Sequence, residues 1–149
     1  MMTREQLSEL VCFNYYVGWR AIQVYYKRHF PPGMNPPRMY VLAVCDRHKP
    51  STLTHIAQTL AMDLPGTSQI VERMEADGLL TRRRSPSSGR EVEVRLTPKG
   101  ERIRERTSRA LSAADTGYVD RLTKADARAL RRATALLLDP PPAQPTAAR

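Results

Sequence analysis

The side chains best suited to contacting another molecule stand between residues 65 and 90. Gly66, Thr67, Ser68 and Gln69 come first, then Arg73, then Arg82, Arg83, Arg84 and Arg90. A glutamine amide can bond both polar atoms of an adenine edge, and a guanidinium suits a guanine edge or a phosphate. Small hydroxyl residues and a glycine let a helix approach closely. Residues 81–90 hold four arginines and no acid, so this segment can lie along phosphates or reach into a minor groove.

Two further sets are chemically distinctive. Cys12 lies in Leu10-Val11-Cys12-Phe13-Asn14-Tyr15-Tyr16, with Arg20 and Tyr26 further on. A thiol responds to oxidants as the thiolate, which needs a nearby donor or positive charge. Cys45, in Val44-Cys45-Asp46, reads as a structural residue. Tyr15, Trp19 and Tyr40 are large aromatics that could line a pocket for a small molecule or simply pack. Catalysis finds no support: there is no Ser/His/Asp set, paired carboxylates, phosphate loop or metal spacing. The three histidines (His29, His48 and His55) are dispersed, so neither a metal nor a cofactor is expected.

The elements that must position these groups follow from periodicity and punctuation. From Arg4 to Phe30, Leu7, Leu10, Val11, Val17, Ala21, Ile22 and Tyr25 paint one broad face of a single long helix. Phe13, Tyr15, Tyr16, Trp19 and Tyr26 extend the apolar surface to other faces, which suggests a subunit interface. Pro31-Pro32-Gly33 ends this helix, and Pro36-Pro37 opens a short buried one through Met39–Val44. Ser51-Thr52 offers an N-cap for the next, with Ile56, Ala57 and Leu60 inward. After the turn at Met62-Asp63-Leu64, Pro65 suits the first position of a helix running to Asp77 and stopping at Gly78.

There the period changes from helical to alternating. Leu79–Arg84 and Glu91–Leu96 read as two strands joined by Ser85-Pro86-Ser87-Ser88-Gly89-Arg90, a hairpin. Alternation puts Arg82 and Arg84 on one face and Arg83 on the other. Thr97-Pro98 caps a further helix carrying Ile103, Thr107, Leu111, Ala114 and Tyr118 on one side. Thr123-Lys124-Ala125-Asp126 resembles a capping box and opens a last helix through Leu130, Ala133 and Leu137. Asp139 to Arg149, rich in Pro and Ala, reads as a disordered tail.

The 149 residues and formal charge of +9 fit one domain with an appendage and a polyanionic partner. The basic residues of the hairpin region are offset by Glu72, Glu75, Asp77, Glu91 and Glu93, so binding would be focused. No apolar run reaches the ~20 residues of a membrane span and no signal-peptide block opens the chain. A cytoplasmic location without membrane contact is expected.

Helix, turn, helix and basic ribbon form the order of a winged helix-turn-helix, whose second helix enters a major groove. Ile56-Ala57 through Leu60, Arg73-Met74-Glu75, Gly78-Leu79-Leu80-Thr81-Arg82, Arg90 and Leu96-Thr97-Pro98-Lys99-Gly100 together resemble the core of the multiple-antibiotic-resistance regulator (MarR) family. The likeness covers about residues 37–103. It implies a mostly helical fold with a small β-hairpin wing, and a homodimer joined through N- and C-terminal helices. It further implies binding to palindromic duplex promoter DNA, usually to repress.

On this pattern residues 1–35 form an N-terminal dimerisation helix and 36–100 the DNA-binding domain. Residues 101–138 supply C-terminal dimerisation helices and 139–149 the tail. The wing departs from the family: its usual Asp-x-Arg is here Ser88-Gly89-Arg90, so Arg90 lacks its carboxylate anchor. Cys12, Phe13, Tyr16, Arg20 and Tyr26 resemble the one-cysteine organic-hydroperoxide sensors of the family, in which partner-subunit tyrosines bond the sulfur. The second tyrosine of that cage falls near Pro36 and is absent. The alternative switch implied by the resemblance is a small aromatic or anionic ligand between the dimer helices and the DNA-binding lobe. A module that kept the fold and lost DNA binding is the competing class.

Overall fold

The computed structural model describes residues 1–86, 88, 89 and 91–139. Seven helices and three short strands follow one another among these residues. The chain divides into two compact units, Met1–Ala114 and Asp115–Arg149.

The N-terminal segment does not form the single helix expected from its apolar spacing. A short α1 (Arg4–Ser8) precedes α2 (Val11–Lys27), with Leu10 extended between them at φ −82°, ψ 127°. Local side chains explain the break. Ser8 Oγ donates to the Glu5 carbonyl, while Asn14 Nδ2 donates to the carbonyls of Ser8 and Leu10 at 2.6 and 3.0 Å. Such bonds offer the backbone an alternative to continuous helix. Tyr26 and Phe30, at the far end, are buried with their rings 5.9 Å apart.

Asn35 caps α3 (Pro36–Val44) by accepting from Arg38 N, and the two prolines occupy the first turn, where no amide partner is needed. Met39, Val41 and Leu42 then point into the core. Ser51–Thr52 form β1, a strand that the N-cap reading of these residues did not name. Thr52 also caps α4 (Leu53–Thr59) by accepting from His55 N at 3.1 Å. The turn out of α4 passes through Ala61 at φ 50° and delivers the chain to α5 (Leu64–Ala76).

α5 ends as its glycine requires. Gly78, at φ 72°, donates to the Glu75 carbonyl, and Leu79 N donates to that of Met74; this is the Schellman arrangement. β2 (Leu80–Arg84) and β3 (Val92–Leu96) follow, and the sheet runs β1-β3-β2, antiparallel throughout. Leu80 pairs with Leu96 and Arg83 with Glu93, while Ser51 pairs with Val94. Leu80, Val94 and Leu96 face inward against Ile56, Val71 and Met74, all buried. The wing is therefore anchored by a third strand on its inner side.

α6 (Pro98–Val119) starts at Thr97, whose Oγ1 accepts from Gly100 N at 2.9 Å. Gly100 packs so closely on the Leu79 carbonyl that a Cβ would lie 2.0 Å from its oxygen. In the second unit, α7 (Lys124–Leu138) opens with the expected capping box: Thr123 Oγ1 accepts from Asp126 N, and the Asp126 carboxylate accepts from Thr123 N. Leu130, Leu136, Leu137 and Leu138 are exposed along it. Among the described residues no helix is long and apolar enough to cross a membrane. Residues 140–149 of the expected tail lie outside the described residues.

Candidate nucleic-acid interface

α5 presents the polar residues singled out by sequence, though not all on one side. Asp63 caps it, its carboxylate accepting from Gly66 N at 2.6 Å. A Cβ at Gly66 would lie 3.1 Å from that carboxylate, so the small residue there protects the cap. Gln69 and Arg73, one turn apart, are exposed, and Ser68 is half-buried beside them. Thr67 corrects the expectation. It is fully buried and its hydroxyl donates to the Asp63 carbonyl at 2.8 Å. Spacing explains this, because Thr67, Val71 and Met74 share the inward stripe of the helix. Thr67 thus seats α5 and does not belong with the outward groups.

The wing arginines also divide. Arg82 is not a free cation. Its backbone N and its Nε donate to the two oxygens of the Glu75 carboxylate at 2.9 and 2.7 Å, and Nη1 donates to Glu72 Oε1 at 3.0 Å. Ser68 Oγ donates to the same Glu72 oxygen at 2.9 Å. The Ser68 bond, then Arg82, holds the Glu72 carboxyl below its ordinary range, and the Arg82 pKa is raised, chiefly by Glu75. The sequence reading counted Glu72 and Glu75 only as offsetting charge. Two acids three apart on a helix share a face, and this face meets β2 across the Gly78 turn; that spacing was the available signal.

Arg83 and Arg84 are exposed. Arg84 Nη1 donates to the Gly89 carbonyl at 3.2 Å, which closes the wing on itself. Arg73 and Arg83 meet no carboxylate among the described residues, since the ion pairs there involve other cations. Arg90, the remaining wing arginine, lies outside the described residues. Gln69 and Arg73 on α5 and Arg83 on β2 are thus each exposed, in addition to the clamped Arg82 and the tethered Arg84. These side chains can bond base edges and phosphates, and a capped helix and a paired strand hold them.

The other candidate residues lie on α2 and α3. Cys12 is exposed in the first turn of α2. Tyr16 is exposed one turn on, with Arg20 Nη1 3.4 Å from its hydroxyl. Tyr26 is buried, and 14 helical residues at 1.5 Å each put it about 20 Å along the helix from Cys12. One chain therefore does not bring Cys12 and Tyr26 together. Trp19 and Tyr40 are partly exposed and Tyr15 is half-buried. Cys45 is buried, and desolvation pushes its thiol up to about 12 against the lowering influence of Arg104. It is a buried residue of the core.

Comparison with known proteins adds the following. The MarR-family profile matches residues 33–91. The HTH-type transcriptional regulator MgrA of Staphylococcus aureus is 32% identical over 112 residues, covering 74% of this chain and 76% of MgrA. The organic hydroperoxide resistance transcriptional regulator of Bacillus subtilis is 28% identical over 102 residues, 68% of this chain and 69% of its own. Among solved structures, the transcriptional repressor CouR bound to a 23-mer DNA duplex superposes with a TM-score of 0.69 at 26% identity, covering 93% of this chain and 96% of CouR. A structure of CouR from Rhodococcus jostii RHA1 bound to p-coumaroyl-CoA matches at a TM-score of 0.72 and 19% identity, covering 93% of this chain and 98% of that one.

Proposed function

The chain belongs to the MarR family of winged-helix transcription regulators, which are not enzymes, and on that premise we propose that it represses transcription as a homodimer on palindromic promoter DNA. The observation that carries this reading is the exposure of Gln69, Arg73 and Arg83 on a capped helix and a paired wing. Residues 36–100 are the DNA-binding lobe, with Gly66, Ser68, Gln69 and Arg73 of α5 against base edges and backbone. Arg83, Arg84 and Arg90 contact phosphates or the minor groove. Residues 1–35 and 101–138 join the protomers, which sets the two copies of α5 about 34–36 Å apart, one turn of duplex. The protein works in the cytoplasm.

A small aromatic or anionic effector releases it, received near Tyr15, Trp19 and Tyr40. One CouR solved with DNA and the CouR of Rhodococcus jostii RHA1 solved with p-coumaroyl-CoA support this mode. A second reading has its own support: Cys12 is exposed and a relative is an organic hydroperoxide resistance regulator. In it, oxidation of Cys12, with Tyr16 and Tyr26 contributed across the dimer, replaces the ligand.

Fluorescence anisotropy on the upstream promoter DNA tests both. Nanomolar binding that weakens steeply with salt supports the regulator. Binding without a salt slope, or none, would instead make the chain a protein-interaction module that retains the fold alone. Loss of binding with stoichiometric organic hydroperoxide, reversed by thiol and absent in Cys12→Ser, selects the redox reading. Indifference to peroxide retires it.

A further inference from the structure

Pro65, Gln69, Glu72 and Ala76 follow one another along α5 at the three- and four-residue steps that keep to one helix face, and all four are exposed. Thr67, Val71 and Met74, on the opposite side, are buried. Pro65 and Ala76 have no polar side-chain atoms, so Gln69 and Glu72 are the groups on this outward stripe that can hydrogen-bond through their side chains. Glutamine there suits DNA. A carboxylate calls for a reason, because a surface that meets phosphates disfavours an acid.

The two oxygens of Glu72 are in different situations. Oε1 accepts from Ser68 Oγ at 2.9 Å and from Arg82 Nη1 at 3.0 Å. Oε2 takes no hydrogen bond or ion pair among the described residues, and 51% of the side chain stays open to solvent. The carboxyl is thus held from one side and left as an acceptor on the other. Ser68 and then Arg82 keep it ionised by lowering its pKa, and an ionised carboxylate accepts but cannot donate. Arg82 also serves Glu75, so one cation meets two acids and the cluster keeps a negative charge. In a major groove, guanine N7 and O6 and thymine O4 are acceptors that repel such an oxygen. Adenine sets its amino group beside the acceptor N7, whereas cytosine offers its N4 amino group alone. We infer that Glu72 is a specificity-determining residue of α5, its Oε2 accepting from the N4 amino group of one cytosine in each half-site. This rests on the DNA-binding regulator reading and names what a further residue of that interface recognises. In this role Arg82 and Ser68 position the carboxylate before DNA arrives.

The test is selection of binding sites by the full chain from a randomised duplex pool, then anisotropy on the selected duplex and its single-base variants. One cytosine in each half-site is expected at which replacement by thymine weakens binding about tenfold. With Glu72→Gln that penalty should shrink to about threefold or less, while the penalties at other positions stay as they were. Glu72→Asp, whose carboxylate is one methylene short, should lose the same discrimination, and it decides the matter if the amide variant does not fold. If Glu72 only holds the wing, Glu72→Gln will weaken every duplex alike. If it is only a solvated acid, the whole base profile will be unchanged. Either result overturns the inference, as does a selected site whose cytosines are all indifferent to Glu72→Gln. Failure of the regulator reading looks different: the unaltered chain would enrich no duplex and show no salt slope, which withdraws the inference with it.

Discussion

Arginines within two residues of each other in β2 have different tasks. Arg82 meets two carboxylates of α5, whereas Arg83, next to it, meets none among the described residues. Arg83→Ala is expected to weaken DNA binding across all sequences and to reduce the salt slope by about 1, as one lost phosphate contact does. Arg82→Ala is expected to weaken binding with little change of slope, because it loosens the wing against α5 and leaves Glu72 and Glu75 unpaired. Salt titrations of both variants separate the two roles. Residue types that suit DNA were legible in the sequence; which of them remained available was not, because that depends on where β2 crosses α5. Thr67 shows the same limit at one position, a hydroxyl that looked outward and is buried. Three carboxylates also contribute to the pH dependence of stability. Glu72, Asp46 and Asp126 are all held below their ordinary values, by Ser68, by the amides of Lys49 and His48, and by Thr123 respectively. A depressed carboxyl contributes stability above its unfolded pKa and loses it as pH falls through the lower folded value. Thermal stability should therefore hold at neutral pH and decline below about pH 4, and Thr123→Ala should remove the Asp126 share of that decline.

Element boundaries were written mainly by glycines, prolines and caps, and these survive in the structure where packing agrees with them. Gly78 ends α5 in the left-handed region, and Gly100 sits against the Leu79 carbonyl with no room for a methyl group. Gly78→Ala should cost about 1–2 kcal/mol, the penalty of a left-handed residue with a Cβ. Gly100→Ala should cost about 3 kcal/mol, the upper end of what overpacking does, because its clash is with backbone and not with a flexible side chain. Urea midpoints at unchanged slope would check both. The expectation of one helix over residues 4–30 failed where Asn14 and Ser8 bond the backbone around Leu10. Apolar periodicity continued across that gap, so spacing alone could not report it. β1 escaped notice for a different reason: two residues carry no period, and only the neighbouring β3 makes them a strand.

At the scale of the molecule, the exposed leucines of α7 make it the element on which the proposed assembly is tested. Leu130, Leu136 and Leu137 stand exposed on it at 55, 68 and 47%, and a run of that kind on a soluble helix marks an interaction surface. Sedimentation equilibrium should find a dimer, and Leu130→Glu with Leu137→Glu should yield monomers that lose high-affinity promoter binding while retaining helix content. A dimer unaffected by the pair would move the interface to α2. The order of elements, which the sequence made legible through its changes of period, is what the family likeness then matched; a pairing of protomers would leave no such periodic trace, only surplus apolar surface on the outer helices.

Thr52 ends β1 and caps α4 at once, pairing with Glu93 on one side and accepting from His55 N on the other. The sheet and α4 thus share a residue, which couples the opening of one to that of the other. In hydrogen exchange, amides of β1, β3 and α4 should report one common opening free energy, a single foldon, and Thr52→Ala should lower that protection for all three together. A wing that exchanged independently of α4 would mean the two are merely neighbours.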